Sequence, residues 1–222
     1  FIDDDELAHP KWLTKLFEQL STAGADVVVG PTRAVYAVEA PEWMRHLRIH
    51  DTQPELGPDG RPIAGHSCNV LMDLGHPALA GRRFDLDRGV SGGEDTAFFA
   101  DAMRAGARLA FAPLAYVDET VPASRMTFSW LFRRRFRMGQ THGSLLRRAD
   151  DPTKGWVALP LAGAKVAYCA MLALMTLPFN RYRTANLLRG ALHLGTISSL
   201  LGLRTVAIYG HTQRNRDGLP SN

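Results

Sequence analysis

Phe1-Ile2-Asp3-Asp4-Asp5-Glu6-Leu7-Ala8-His9-Pro10-Lys11-Trp12 opens the stretch that decides the fold, and Ala25-Asp26-Val27-Val28-Val29-Gly30-Pro31 closes it. Two apolar residues lead into four consecutive carboxylates. Like charges crowded this closely repel, and removing them from water requires a partner, so a cationic group is expected there. Leu13, Leu16, Phe17 and Leu20 follow at helical spacing, with Pro10 suited to the first turn and Gly24 to the stop. Val27 to Val29 then reads as a short buried strand. Carboxylates, helix, strand is the order of an α/β layered domain.

Working outward, residues 51–65 are rich in Pro, Gly and acids and read as a loop or hairpin excursion, and Cys68 to Leu74 returns as a strand. Ser91-Gly92-Gly93-Glu94-Asp95 precedes a helix through Phe98, Phe99 and Met103 that closes near Gly106. Arg108 to Phe111 and Ala115 to Val117 are strand-like, and Ser124 to Leu146 reads as one long helix. Trp156 to Phe179 is apolar with Lys165 as its single charge and is long enough for a membrane span, with a buried helical core as the lesser alternative. Membrane contact is the preferred reading, because basic residues precede the run. Leu187 to Tyr209, interrupted by Arg189, His193 and Arg204, suits an interfacial or re-entrant helix. The expected division is therefore a domain over 1–150 and a hydrophobic helical region with a polar tail over 151–222.

With 222 residues the chain can bury one sizeable core, and its formal net charge of +4 is mild. The charges are unevenly placed. Acids gather at the start and from Asp85 to Asp101, whereas Arg133, Arg134, Arg135 and Arg137 fall within five positions. No nucleic-acid module pattern accompanies these arginines, so nucleic acid is not expected as a partner. Cys68 and Cys169 form no paired or metal-binding framework, which points to a reducing compartment. No signal peptide is evident, and the abrupt start is expected to be the interior of a larger protein.

Three clusters have the residue types for chemistry. Asp3 and Asp5 form an Asp-x-Asp pair, either a solvated acidic turn ahead of the helix or a hard-cation site for Mg2+ or Mn2+ completed by phosphate oxygens. Ser91 and Glu94 have capping-box spacing, but the paired glycines also allow close approach by another molecule. There Asp95 can act as general base while Glu94 caps the helix or contacts an acceptor. The arginines are either a basic face beside an anionic membrane or a grip on a diphosphate. His142 as a metal ligand, and Trp43 as a sugar-stacking surface, are open to plain structural readings as well.

The ordered set FIDDDE…PKWL, SGGEDTAFF and RRRFRMGQTHG resembles the family-2 glycosyltransferases, particularly bacterial enzymes of succinoglycan-type exopolysaccharide assembly, from Phe1 to about Arg148. This resemblance implies the C-terminal half of a GT-A, Rossmann-like α/β domain, followed by a membrane-associated tail. It implies inverting sugar transfer from a nucleoside-diphosphate sugar, with UDP-glucose the expected donor and a lipid-linked saccharide the acceptor. The implied location is the cytoplasmic face of the bacterial inner membrane. Asp3 and Asp5 correspond to the metal and diphosphate motif, Asp95 to the base, and Arg134, Arg135 and Arg137 are the expected diphosphate contacts. In processive relatives the third motif reads Gln-x-x-Arg-Trp. Here Arg135-Phe136 falls on Arg-Trp while Phe132 replaces the Gln, so addition of a single sugar is expected. The family's first half, with its nucleotide-base pocket, is absent from this sequence, and the fragment is not expected to act alone. Rival readings are a cyclase, since Gly92-Gly93-Glu94-Asp95 is near the Gly-Gly-acid-acid-Phe signature but has Thr96 in place of the Phe, and a noncatalytic membrane-docking module.

Overall fold

A computed structural model describes residues 1–85, 93–148, 153–204 and 206. These fall into two compact units: Phe1–Phe84 with Glu94–Trp130 and Phe179–Arg181, and Asp85–Gly93 with Leu131–Pro178 and Tyr182–Asn222.

The first unit is α/β. Its strands are β1 (Glu6–Ala8), β2 (Val27–Val29), β3 (Thr32–Val35), β4 (Val70–Met72), β5 (Leu109–Phe111) and β6 (Val117–Thr120), and its helices are α1 (Trp12–Ala23), α2 (Glu42–Leu47) and α3 (Glu94–Arg104). One mixed sheet has the order β4-β2-β5, with β2 antiparallel to β4 (Val27 opposite Met72) and parallel to β5 (Val27 opposite Leu109). The three valines are consecutive because both faces of β2 are covered. Val27 and Val29 join Phe98, Phe99 and Ala102 of α3 in one cluster, and Val28 joins Leu16 of α1 in the other. All three are fully buried, and a strand with neither face in water loses the apolar–polar alternation of a half-exposed one.

The second sheet has the order β1-β6-β3, with β6 antiparallel to β1 and parallel to β3. The expected strand at Ala115–Val117 is displaced to Val117–Thr120. Ala112 and Ala115 sit in the core at a turn, the Ala115 amide donating to the Ala112 carbonyl, and pairing begins only beyond it. β6 is mostly polar and is held by backbone pairing to both neighbours, so hydrophobic periodicity does not announce it. Asn69, fully buried, joins three segments: Trp12 Nε1 donates to its Oδ1 at 2.8 Å, and its Nδ2 donates to the carbonyls of Pro31 (3.1 Å) and Ala115 (2.8 Å).

The second unit is helical. A short 3-10 turn (Ala123–Arg125), still part of the first unit, precedes α4 (Phe128–Arg148), which enters the second unit from Leu131, so the single helix expected from Ser124 is divided there. α5 spans Thr153–Met175 and α6 Asn180–Leu200. α6 is one continuous helix that buries small and polar residues including Thr184, Gly190, Gly195, Thr196 and Ser199, and positions 205 and 207–209 of the expected Leu187–Tyr209 segment lie outside the described residues. Gln140 of α4 is buried and donates through Nε2 to Ser198 Oγ and to the Arg204 carbonyl, both at 3.1 Å, while its Oε1 accepts the Val206 amide at 2.9 Å. Within α5, Val157–Met175 is the one helical stretch among the described residues long and apolar enough to cross a membrane, and most of its side chains are exposed.

Candidate active site

The opening carboxylates lie in a turn rather than along a strand, so strand alternation does not govern where Asp3 and Asp5 point. The turn is moored at both ends. Phe1 exchanges backbone hydrogen bonds with Val70, and Ile2 bridges to Asn69. On the far side the Glu6 amide donates to the Asp3 carbonyl at 3.2 Å, and Glu6 Oε2 accepts the Asp3 amide at 3.0 Å. Glu6, the last carboxylate of the run, is therefore used in shaping the turn. Its Oε1 accepts the Thr32 hydroxyl at 2.9 Å, and burial pushes its carboxyl up to about 7 despite those two hydrogen bonds.

Asp3 has the electrostatics of a cation-seeking group. Burial, then the charges of Asp5, Asp4 and Asp95, lift its carboxyl above the ordinary value, while Arg125 opposes them. Asp3 and Asp95 thus lie within one field, although they are far apart in sequence. Asp95 stands in the first turn of α3, where its Oδ1 accepts the Thr96 amide at 2.6 Å and the Thr96 hydroxyl at 3.2 Å. Glu94 Oε2 is buried and accepts no hydrogen bond. The capping partner expected at Ser91, with Gly92, lies outside the described residues. Gly93 has φ +84°, a left-handed backbone that favours glycine, and a side-chain carbon there would meet Thr141 Cγ2 at 2.7 Å.

Around these acids are groups that sequence patterns did not single out. Arg125 donates through Nη1 to Glu119 Oε1 at 2.8 Å, with its guanidinium carbon 5.8 Å from the centre of the Trp130 ring. Trp130 stacks on His50 at 5.6 Å between centroids. Cys68 Sγ lies 3.5 Å from Thr32 Oγ1 and 3.3 Å from His66 Nδ1, and burial pushes the thiol up to about 12. Glu6 was visible as a fourth acid in the run, but Arg125 and His66 stand outside any cluster in sequence.

Arg134, Arg135 and Arg137 belong to α4 in the second unit. Arg137 is buried and donates to the Thr141 hydroxyl at 3.0 Å. Burial, then the charges of Arg134 and Arg189, hold the Arg135 guanidinium below its ordinary value. His142, on the same helix, is exposed. Trp43 is half-buried on α2.

Among the described residues no group of three or more His, Cys, Asp or Glu side chains converges as a metal site. The donor set at the opening turn nevertheless fits a hard divalent ion. Its candidate donors are carboxylate oxygens, the negative field on Asp3 is incompletely compensated, and two protein carboxylates would leave positions for a substrate's phosphate oxygens.

The family model for glycosyl transferase family 2 matches residues 1–90. The chain is also 46% identical over 211 residues to the succinoglycan biosynthesis protein ExoM of Rhizobium meliloti (strain 1021), covering 95% of this chain and 68% of that protein. This chain belongs to glycosyl transferase family 2. As a family-2 glycosyltransferase it takes a sugar from a nucleotide-sugar donor to a saccharide acceptor, and the α/β unit carrying the acids is what a GT-A fold implies. The membership gives no support to the cyclase or docking-module readings. No solved structure matches the chain.

Proposed function

We propose that this family-2 glycosyltransferase adds one sugar, with inversion, from a nucleoside-diphosphate sugar such as UDP-glucose to a lipid-linked saccharide during exopolysaccharide assembly. The observation that carries the reading is that Asp3 lies in the field of Asp95, so a donor diphosphate held at the opening turn would be near a carboxylate able to act as base. Asp95 removes the proton of the acceptor hydroxyl, whose oxygen attacks the anomeric carbon as the bond from that carbon to the diphosphate breaks. Asp3 and Asp5 would hold a Mg2+ or Mn2+ ion, which when bound neutralises charge on the departing diphosphate. Arg125 supplies positive charge within the same unit. Arg134, Arg135 and Arg137 keep a proposed part in diphosphate binding on their charge pattern alone. Glu94 orients the acceptor through its unpartnered Oε2. The identity to ExoM, a protein named for succinoglycan biosynthesis, supports the exopolysaccharide assignment, and the exposed apolar α5 supports membrane association, which we place at the cytoplasmic face of the inner membrane.

The test uses the full-length enzyme. Asp95→Asn is expected to lower transfer by roughly 10²- to 10⁴-fold, the span of general-base catalysis, with UDP-glucose affinity within about twofold of wild type. Undiminished turnover removes Asp95 from the base role. Asp3→Ala is expected to abolish the Mn2+-dependent part of donor binding by calorimetry, and unchanged metal dependence removes the cation from this turn.

A further inference from the structure

Two side-chain atoms among the described residues are buried without a hydrogen-bond partner, Glu94 Oε2 and His66 Nε2. Glu94 is adjacent to Asp95 in sequence. His66 reaches the same place by packing. Gly65 lies so close to α3 that a side-chain carbon there would meet Phe99 Cγ at 2.5 Å, and Phe99 stands one helical turn after Asp95 on the same face. The loop carrying His66 is therefore clamped beside the first turn of α3, and the imidazole lies in the field of Asp95.

We propose that His66 is an acceptor-binding residue whose Nε2–H donates a hydrogen bond to the sugar hydroxyl that Asp95 deprotonates. The other ring nitrogen is already engaged, since Nδ1 lies 3.3 Å from Cys68 Sγ. Cys68 stays a thiol at neutral pH, its proton held by burial, and so has an S–H to give to Nδ1. With that S–H given to Nδ1 rather than to Thr32 Oγ1, the ring proton stands on Nε2, the unpartnered atom. Burial also holds the imidazole below its ordinary value against the pull of Asp95, which keeps it neutral, as a hydrogen-bond donor to a reacting oxygen should be. A buried polar atom without a partner is costly, and a fixed site for a ligand hydroxyl is the economical account of two such atoms flanking one carboxylate. A saccharide fits both, because each hydroxyl donates to a carboxylate and accepts from an N–H.

This inference rests on Asp95 as the base, and its test separates the two. In the full-length enzyme, with UDP-glucose as donor and an organic-solvent extract of the producing cell's membranes titrated as acceptor, His66→Ala is expected to raise acceptor half-saturation roughly five- to tenfold, one neutral hydrogen bond's worth. UDP-glucose affinity should be unchanged by calorimetry. His66→Gln, whose amide N–H can replace Nε2–H, is expected to recover most of the loss. Half-saturation within twofold of wild type, donor affinity falling in parallel, or loss of folding in both variants overturns the proposal. Failure of the base assignment shows instead as turnover surviving in Asp95→Asn, whatever His66 does.

Discussion

Asp26 and Asp95 are both aspartates at the edge of a regular element, and the fold uses them differently. Asp26 is buried at the entry to β2, where its Oδ2 accepts the Arg108 amide at 2.8 Å and the Arg108 side chain at 3.5 Å. Burial alone would lift this carboxyl, but those hydrogen bonds, with the charges of His76 and Arg108, overcome it and hold the group below its ordinary value. The stabilisation it contributes is therefore complete above the normal carboxylate range and is lost as pH falls through the lower folded value. Asp26→Asn is expected to cost roughly 1–3 kcal/mol at neutral pH and to flatten the fall in stability below about pH 4, both read from thermal melts across pH 3 to 7. Among the described residues Asp95 accepts from Thr96, a local contact that fixes the carboxylate on α3. Sequence patterns separate the two imperfectly. Asp95 announces itself through the paired glycines, but nothing around Asp26 signals that Arg108, 82 residues on, completes it.

At the scale of elements, the closest packing is where α4 and α6 cross. A side-chain carbon on Gly139 would run into the Leu192 carbonyl oxygen, and one on Gly195 into the Phe136 carbonyl oxygen. Gly143, one turn beyond Gly139, would meet Ser199 Cβ at 2.7 Å. Small residues four apart on both helices let the backbones touch, so neither neighbour can yield by a rotamer change. Gly139→Ala is expected to destabilise by about 3 kcal/mol, the upper end for overpacking, whereas Gly163→Ala on α5, with nothing within 4 Å, should be neutral or gain up to about 1 kcal/mol from helix propensity. Thermal unfolding of the detergent-purified protein compares the two directly. Equal effects would deny the crossing its tightness. β2 and α1 were legible because apolar spacing follows burial directly. β3 and β6 were not, because a short strand without apolar–polar alternation is held by backbone pairing that leaves no periodic trace.

At the scale of the molecule, α5 carries an apolar surface to account for. Leu161, Tyr168, Met171, Leu174 and Met175 are all exposed along it, and contact with lipid would remove that area from water. Leu161→Asp with Leu174→Asp, each costing about 3 kcal/mol if placed in a bilayer centre, is expected to shift the full-length enzyme from the floated vesicle fraction to the soluble one. Unchanged flotation would assign α5 to protein contacts. The sequence by itself determined the α/β class, the acidic pair at Asp3 and Asp5, the glycine-led acids at Glu94 and Asp95, and the apolar length of α5, because each is written in neighbouring residues. Only the tertiary structure decided that Asp95 bears on Asp3, that Glu6 shapes the opening turn, and that His66 and Arg125 belong to the same unit as those acids. Such relations arise when distant segments pack together, and spacing along a chain carries no record of them.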